Sequence, residues 1–400
     1  MTSRRQLFAA VDPDGSLRAY GSNLHEAVQF AATLAPQVVV EGADGSDGRM
    51  AGFGEFAALA PEKMPQVALN NSGLKPIDFD AVMRMSLEEA HSKLVPFFPT
   101  TKTRKSGEVV PVATYKTAKS MADNLLGQNY KTAKETPEDP SDVMGLSLLP
   151  YDMAKKTSGR SLPLRGLGLC AGSSAACRQA CLVYSGHNMI DIYNMVVKTA
   201  RTEALLLEPV AFARMLVEGV KKHMKPARGS GGYEPLVRLN VFSDVPWELV
   251  LPGIFEEFSS SQFYDYTKVP GRNPPSNYDL TFSYSGVNQT YVEYELNRGR
   301  RIAVVFLLPG TLQTRREASL PNTFMGHPVV DGDVSDVRPR DPAPGVVGLR
   351  WKLPLGQTKE KRQDTKNAFV VPCEEVDGVL VATQSARQEP IVDADEKESA

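Results

Sequence analysis

Three of the four cysteines in the chain, Cys170, Cys177 and Cys181, fall within twelve residues, and His187 follows six positions later. The spacing C-x6-C-x3-C-x5-H gathers three soft sulfur donors and an imidazole in one stretch. Three thiolates and a histidine make a closed tetrahedral zinc site of the structural kind. The same thiolates suit an iron–sulfur cluster held by three cysteines, which leaves one iron free for an outside ligand, an arrangement radical enzymes exploit. The plain alternative is three buried thiols with no metal. The intervening AGSSAA is small and flexible, so a loop can close tightly about an ion. His187 is the weakest member, because a lone loop histidine is often only solvated.

A second set of reactive groups stands where apolar runs end. LVRLNVFSD closes on Ser243 and Asp244, and FYDYTK carries Asp265, Thr267 and Lys268. LTFSYSG carries Ser283 and Ser285, and VVDGD carries Asp331 and Asp333. A buried parallel strand has no structural need for a terminal carboxylate. Gathered at one rim, carboxylates can serve as nucleophile and general acid/base. The competing explanation is that Asp and Ser cap the helices that follow, and Asp244, just before VPWELV, suits that role. Strand alternation places Arg238, Asn240 and Asp244 on one face, which fits either a substrate-facing strand or an edge strand. Tyr264, Tyr266, Tyr278, Tyr284, Tyr291 and Tyr294 interleave with these charges. Their rings suit stacking on bases, or simply line the periphery of a core.

The elements that must position these groups are legible in outline. Residues 1–60 read as a small α/β unit: two short strands about a DPDG turn, a helix over NLHEAVQFAATLA and a strand over QVVVEGA. Residues 61–142 read as an irregular, basic connecting segment. From Lys102 to Lys134 it holds seven Lys or Arg and two acids, and YKTAK occurs twice. That is either an arm contacting phosphates or a solvated surface. Residues 143–384 carry recurring strand candidates: 236–244, 261–268, 278–286, 301–310, 327–333 and 345–352. Helix-like stretches lie between several of them. This pattern predicts repeated βα units and a parallel sheet, and the number of units favours an α/β, TIM-like (β/α) barrel with the small N-terminal α/β extension. Ligands bind at the C-terminal ends of strands in such folds, which is where the polar residues gather. Residues 385–400 form an acidic tail.

Composition sets the outer limits. The 400 residues carry 45 Lys plus Arg against 47 Asp plus Glu, a net charge of −2. That excludes a uniformly basic nucleic-acid coat but not a local patch. No apolar run approaches the roughly 20 residues of a membrane helix, and the start lacks a signal-like apolar stretch. Cysteines cluster instead of spreading as in secreted disulfide scaffolds. A cytoplasmic protein is therefore expected, and a homodimer is compatible with the sequence. ARGSGGYEP lacks the Lys and Ser/Thr of a nucleotide loop, and no G-x-S-x-G elbow occurs, so ATP use and serine hydrolysis lose support.

The strings LCAGSSAACRQACLVYSGHN, RLNVFSDVPWE, FYDYTK, DLTFSYSG and VVDGDVSDVRPRDPAPGVVGLRWK, spread over about residues 143–352, resemble a family of actinobacteriophage proteins. Some members of that family resemble tRNA-guanine transglycosylases, the group that places 7-deazaguanine bases in phage DNA. The resemblance implies a phage protein acting in the host cytoplasm. It implies exchange of guanine in DNA for a deazapurine base through an aspartyl glycosyl intermediate. Strand-end placement then makes Asp244 the nucleophile and Asp265 the acid/base. Arg238 and Lys268 would steer phosphate or base, and Asn240, Ser243, Ser283, Ser285 and Asp333 would bind the substrate. The Gly-Gly-Phe-Gln string of the transglycosylases is absent, and their cysteines come late in the barrel, whereas these precede most strands. Two other readings stand beside it. One is an iron–sulfur radical enzyme, and the other a non-catalytic nucleic-acid-binding barrel with structural zinc.

Overall fold

The apolar runs become neighbours in one sheet. A computed structural model of the chain describes residues 60–99, 118–128, 141–184, 192–225, 234–310, 318–351 and 369–383, with short strands at 8–11, 17–19, 39–42, 101–103 and 109–111. His187, most of the basic 102–134 segment and the acidic tail lie outside the described residues.

Near the N-terminus β1 (Phe8–Val11), β2 (Leu17–Ala19) and β3 (Val39–Gly42) pair antiparallel in the order β2-β1-β3. Three helices follow, α1 (Met64–Ser72), α2 (Phe79–Arg84) and α3 (Leu87–Leu94). The sequence reading took this stretch as irregular. The signals that define the helices are local caps: Asp78 accepts from Asp80 N, and Ser86 accepts from Glu89 N at 3.1 Å in the S-x-x-E pattern. A hairpin of β4 (Thr101–Thr103) and β5 (Val109–Pro111) and a short helix α4 (Ala118–Asp123) lead to the main sheet.

The main sheet begins with β6 (Leu126–Gly127) and β7 (Ser141–Leu146). Then come α5 (Met153–Thr157), α6 (Ala175–Gln179), α7 (Ile192–Leu207) and α8 (Pro209–His223). Pro209 opens α8, where a missing N–H costs nothing, so one long apolar run becomes two helices. β8 (Glu234–Arg238), α9 (Trp247–Val250), α10 (Gly253–Glu257), β9 (Gln262–Thr267), β10 (Tyr278–Ser283), α11 (Gln289–Asn297) and β11 (Arg301–Leu307) follow. The chain continues through β12 (Thr323–Phe324), β13 (His327–Asp331), β14 (Gly345–Arg350), β15 (Val370–Val376) and β16 (Val379–Ala382).

The order across the sheet is β12-β13-β14-β11-β10-β9-β8-β7-β6. From β7 to β13 every pairing is parallel, and the flanking β6 and β12 are antiparallel. β15 joins β11 at Val305–Leu307, beyond the point where β10 leaves it. The protein is therefore α/β with a mostly parallel central sheet, and no pairing among the described residues closes that sheet into a barrel. β7 to β11 lie side by side in chain order, so their C-terminal ends share one rim.

Both faces of the sheet are covered. On the helix side Val237, Leu239, Phe263 and Leu280 pack with Leu69, Val82, Leu94, Phe212 and Leu216. On the other side Val143, Leu236 and Tyr264 meet Val337. The segment 333–341 crosses this second face. Asp336 binds Arg238 at 2.9 Å, the Pro339 and Asp341 carbonyls accept from Arg301, and Arg340 pairs with Glu234.

Candidate functional site

After β7 the chain turns at Tyr151, a non-glycine residue with φ of 37°. Such a conformation persists only when its surroundings fix it. Here Leu169 N–H donates to the Tyr151 carbonyl, and Gly168 (φ 56°) lies so close that a Cβ would sit 2.4 Å from that oxygen. The outcome is local and chemical: the Tyr151 backbone lies by the Cys170 sulfur and favours its thiolate. Cys177 lies in α6, whose N-terminus is capped by Ser174, with Cys177 N–H donating to Ser174 Oγ at 3.0 Å. Cys181 follows α6, and the Val183 backbone favours its thiolate. All three cysteines are free and half-buried.

The cysteine loop is tied to the neighbouring strand ends. Asp244 N–H donates to the Leu169 carbonyl at 2.7 Å, and Cys170 Sγ lies 3.5 Å from the Phe242 carbonyl. Lys268, the residue after β9, brings its ammonium within electrostatic reach of Cys177, Asp244, Cys170 and Cys181. Burial alone pulls that ammonium down, but the Asp244 carboxylate and the cysteines in their thiolate forms outweigh it and raise it above its ordinary value. Burial pushes Cys170 well up and Cys181 to about 11, against the two backbone donors and, at Cys181, Lys268. In the metal-free chain these two sulfurs are therefore protonated thiols; Asp244 and the neighbouring cysteines add to the rise, and only the backbone and, at Cys181, Lys268 favour the thiolate. Among the described residues no group of three or more His, Cys, Asp or Glu is placed about a single metal ion.

Asp244 and Asp265 come to the same rim as the cysteines, and both are fully engaged. Asp244 accepts from Lys268 N at 2.7 Å and from Arg272 Nη1 at 3.2 Å. Arg272, 1% exposed, also grips Glu248 through Nε at 2.8 Å and Nη2 at 2.6 Å. Asp265, with no exposed surface, accepts from Leu239 N and Asn240 N at 3.0 Å each and from the Tyr278 hydroxyl at 2.9 Å. Burial raises its carboxyl to about 6 against the opposing pull of Arg238 and these donors. Burial likewise raises Asp244, opposed first by Arg272. The two carboxylates are linked through Arg272, whose Nη2 lies 3.4 Å from the Tyr278 hydroxyl.

The remaining sequence candidates divide by position. β8 ends at Arg238, so the strand alternation that put Arg238, Asn240 and Asp244 on one face does not extend to 244. Asn240 replaces the strand with a side-chain turn: its Oδ1 accepts from Val245 N and Ser243 Oγ, and its Nδ2 donates to the Val245 carbonyl. Asp244 is not the cap of α9, since that position is Pro246. Arg238 lies on the second face of the sheet between Asp336 and the Tyr264 and Tyr266 rings. Ser283 and Ser285 stand at the end of β10, next to Lys268 in the register that pairs Phe282 with Thr267. Asp333 is held by Arg350 at the end of β13, three strands from β10.

Sequence reasoning missed Arg272, Glu248 and Tyr151. The GRNPP turn around Arg272 carried no periodic signal, and nothing in the sequence marks Tyr151 as strained. It also missed Ser173, which is buried in the cysteine loop with an unpartnered hydroxyl, as is Ser285 across from it.

A family model described as Gene product 88 matches residues 120–371, more than half of the chain and nearly all of the main sheet. No curated protein and no solved structure matches. Among the described residues no helix is long and apolar enough to cross a membrane.

Proposed function

The chain belongs to the gene product 88 family of phage proteins, and from that footing we propose that it is an iron–sulfur enzyme. Cys170, Cys177 and Cys181 hold the cluster at the C-terminal mouth of an open, (β/α)-barrel-like sheet. One observation carries the reading. The backbone at Tyr151 and Val183 favours the thiolates of Cys170 and Cys181, and the Lys268 ammonium lies within electrostatic reach of all three cysteines. Backbone donors and a nearby cation stabilise thiolates and tune a cluster's potential. For neutral, purely structural thiols that arrangement has no use, and a strained Tyr151 would be an unexplained cost.

A cluster with three cysteine ligands supplies one-electron chemistry and an iron open to an outside ligand. The chain's own residues do the rest. The Tyr151 and Val183 backbone would favour the thiolates, and Lys268 would offset the negative charge gathered there. Asp244, clamped by Arg272, fixes the backbone of Lys268. Zinc is the competing metal. A single zinc ion needs sulfurs gathered at bonds of about 2.3 Å and a fourth ligand, and His187 lies outside the described residues.

The base-exchange expectation requires a carboxylate free to attack an anomeric carbon. Asp244 and Asp265 would each have to leave two or more partners first. DNA as a partner rests on the basic 102–134 segment and is part of the proposal only to that extent.

The test is anaerobic purification followed by iron, sulfide and zinc analysis and electron paramagnetic resonance. A brown protein with iron and sulfide, losing both in Cys177→Ser, is expected. A colourless protein with one zinc per chain overturns the reading. So does incorporation of labelled deazapurine into DNA by that colourless protein, which would restore base exchange.

A further inference from the structure

Three donors at the rim have no partner suited to them. Ser173 Oγ and Ser285 Oγ are 4% and 0% exposed by residue, and neither makes a hydrogen bond. Unpaired buried hydroxyls are rare in native folds because desolvation is not recovered. The two lie on elements that meet: Ser174, beside Ser173, has its Oγ 3.4 Å from the Ser285 carbonyl. Ser173 N–H in turn donates to the Cys170 carbonyl at 3.0 Å. The third donor is Lys268. It directly follows β9, whose last residue Thr267 pairs with Phe282 of β10. Its ammonium lies 5.4 Å from the centre of the Phe369 ring and within electrostatic reach of the cysteines.

We infer that Lys268, Ser173 and Ser285 form a subsite for the carboxylate of a small molecule, seated beside the three cysteines. One ammonium and two hydroxyls match a single carboxylate in charge and in number of donors. A phosphate dianion is a poorer match. It offers more acceptors than these groups can serve. The N-terminus of α6 is already taken by Ser174, and Arg272 is consumed by Asp244 and Glu248. The ligand's place next to a cluster rests on the iron–sulfur reading; carboxylate binding itself does not.

Calorimetric titration of the full chain, metal-free and after anaerobic reconstitution, uses acetate, glycine and inorganic phosphate as probes. Acetate and glycine are expected to bind and phosphate to bind at least about tenfold more weakly. Lys268→Met is expected to weaken acetate by about tenfold or more, and Ser285→Ala by several-fold, as loss of a charged or a neutral hydrogen bond does. Arg340→Ala, on the remote face, is expected to leave binding unchanged. No carboxylate binding by the wild type, or undiminished binding in both Lys268→Met and the Ser173→Ala/Ser285→Ala double variant, overturns the inference. The double variant decides if Lys268→Met does not fold. Iron and sulfide analysis of the same samples separates the two proposals. Carboxylate binding without a cluster sinks only the iron–sulfur reading, and a cluster without carboxylate binding sinks only the subsite.

Discussion

Replacing Arg272 with Met removes a guanidinium that is 1% exposed and makes three close contacts with two carboxylates. Met fills much of the space but leaves Asp244 and Glu248 buried together without a cation. Breaking a buried ion pair from one side costs about 3–5 kcal/mol, because the orphaned charge stays in low dielectric. For a chain of this size that is a fall in melting temperature on the order of 10 °C. The loss has a defined pH dependence. In the variant Asp244, already raised by burial, loses the Arg272 charge that opposes the rise, so its folded-state pKa moves further above its unfolded value of about 4. The contribution of Asp244 is then fully present below about pH 4 and lost as pH rises through its raised value. The deficit relative to wild type is expected to be larger at pH 8 than at pH 5. Scanning calorimetry of both proteins at the two pH values measures it. A deficit under about 1 kcal/mol at pH 8, the range of an exposed ion pair, would refute the claim that Arg272 is the counter-charge of the rim.

Further outcomes follow from the same geometry. Gly168→Ala places a Cβ 2.4 Å from the Tyr151 carbonyl at a residue with φ of 56°, so thermal unfolding should show a loss above about 2 kcal/mol, and iron retention should fall with it. Asp265 has a carboxyl raised to about 6, so its contribution to folding is lost as pH rises from about 4 to about 6. Wild-type stability relative to Asp265→Asn should decline by about 3 kcal/mol across that window in urea titrations. Arg340→Ala breaks a largely exposed pair with Glu234 and should change the melting temperature by no more than an equivalent of about 1 kcal/mol.

The sheet was legible because its strands are apolar and β-branched enough to stand out singly. β11, RIAVVFL, and β14, GVVGLR, lie within a few residues of the runs that suggested them. The helices of 64–94 were not legible, since their signals are caps and short apolar stripes inside a stretch rich in Pro and charge. Barrel closure was not legible either, because periodicity counts strands but does not say whether the first meets the last. At the rim, the residue types were right and the roles were not. Asp265 looks like an acid/base in sequence, yet its oxygens hold the backbone of residues 239 and 240. Whether a strand-end carboxylate is free or spent depends on a long-range partner, here an arginine 28 residues away from Asp244 and a tyrosine 13 residues from Asp265.

The segment 333–341 joins strands made long before it: Asp336 reaches back 98 residues to Arg238, and Arg340 reaches back 106 to Glu234. At translation speeds of about 5–20 residues per second, the first strands of the sheet wait several seconds on the ribosome with that face open to water. That face carries Arg238 and Tyr266 beside the apolar Val143, Leu236 and Tyr264 that Val337 covers. Until the late-arriving strap is made, an apolar patch of the nascent sheet stays uncovered, so the strap closes the fold last.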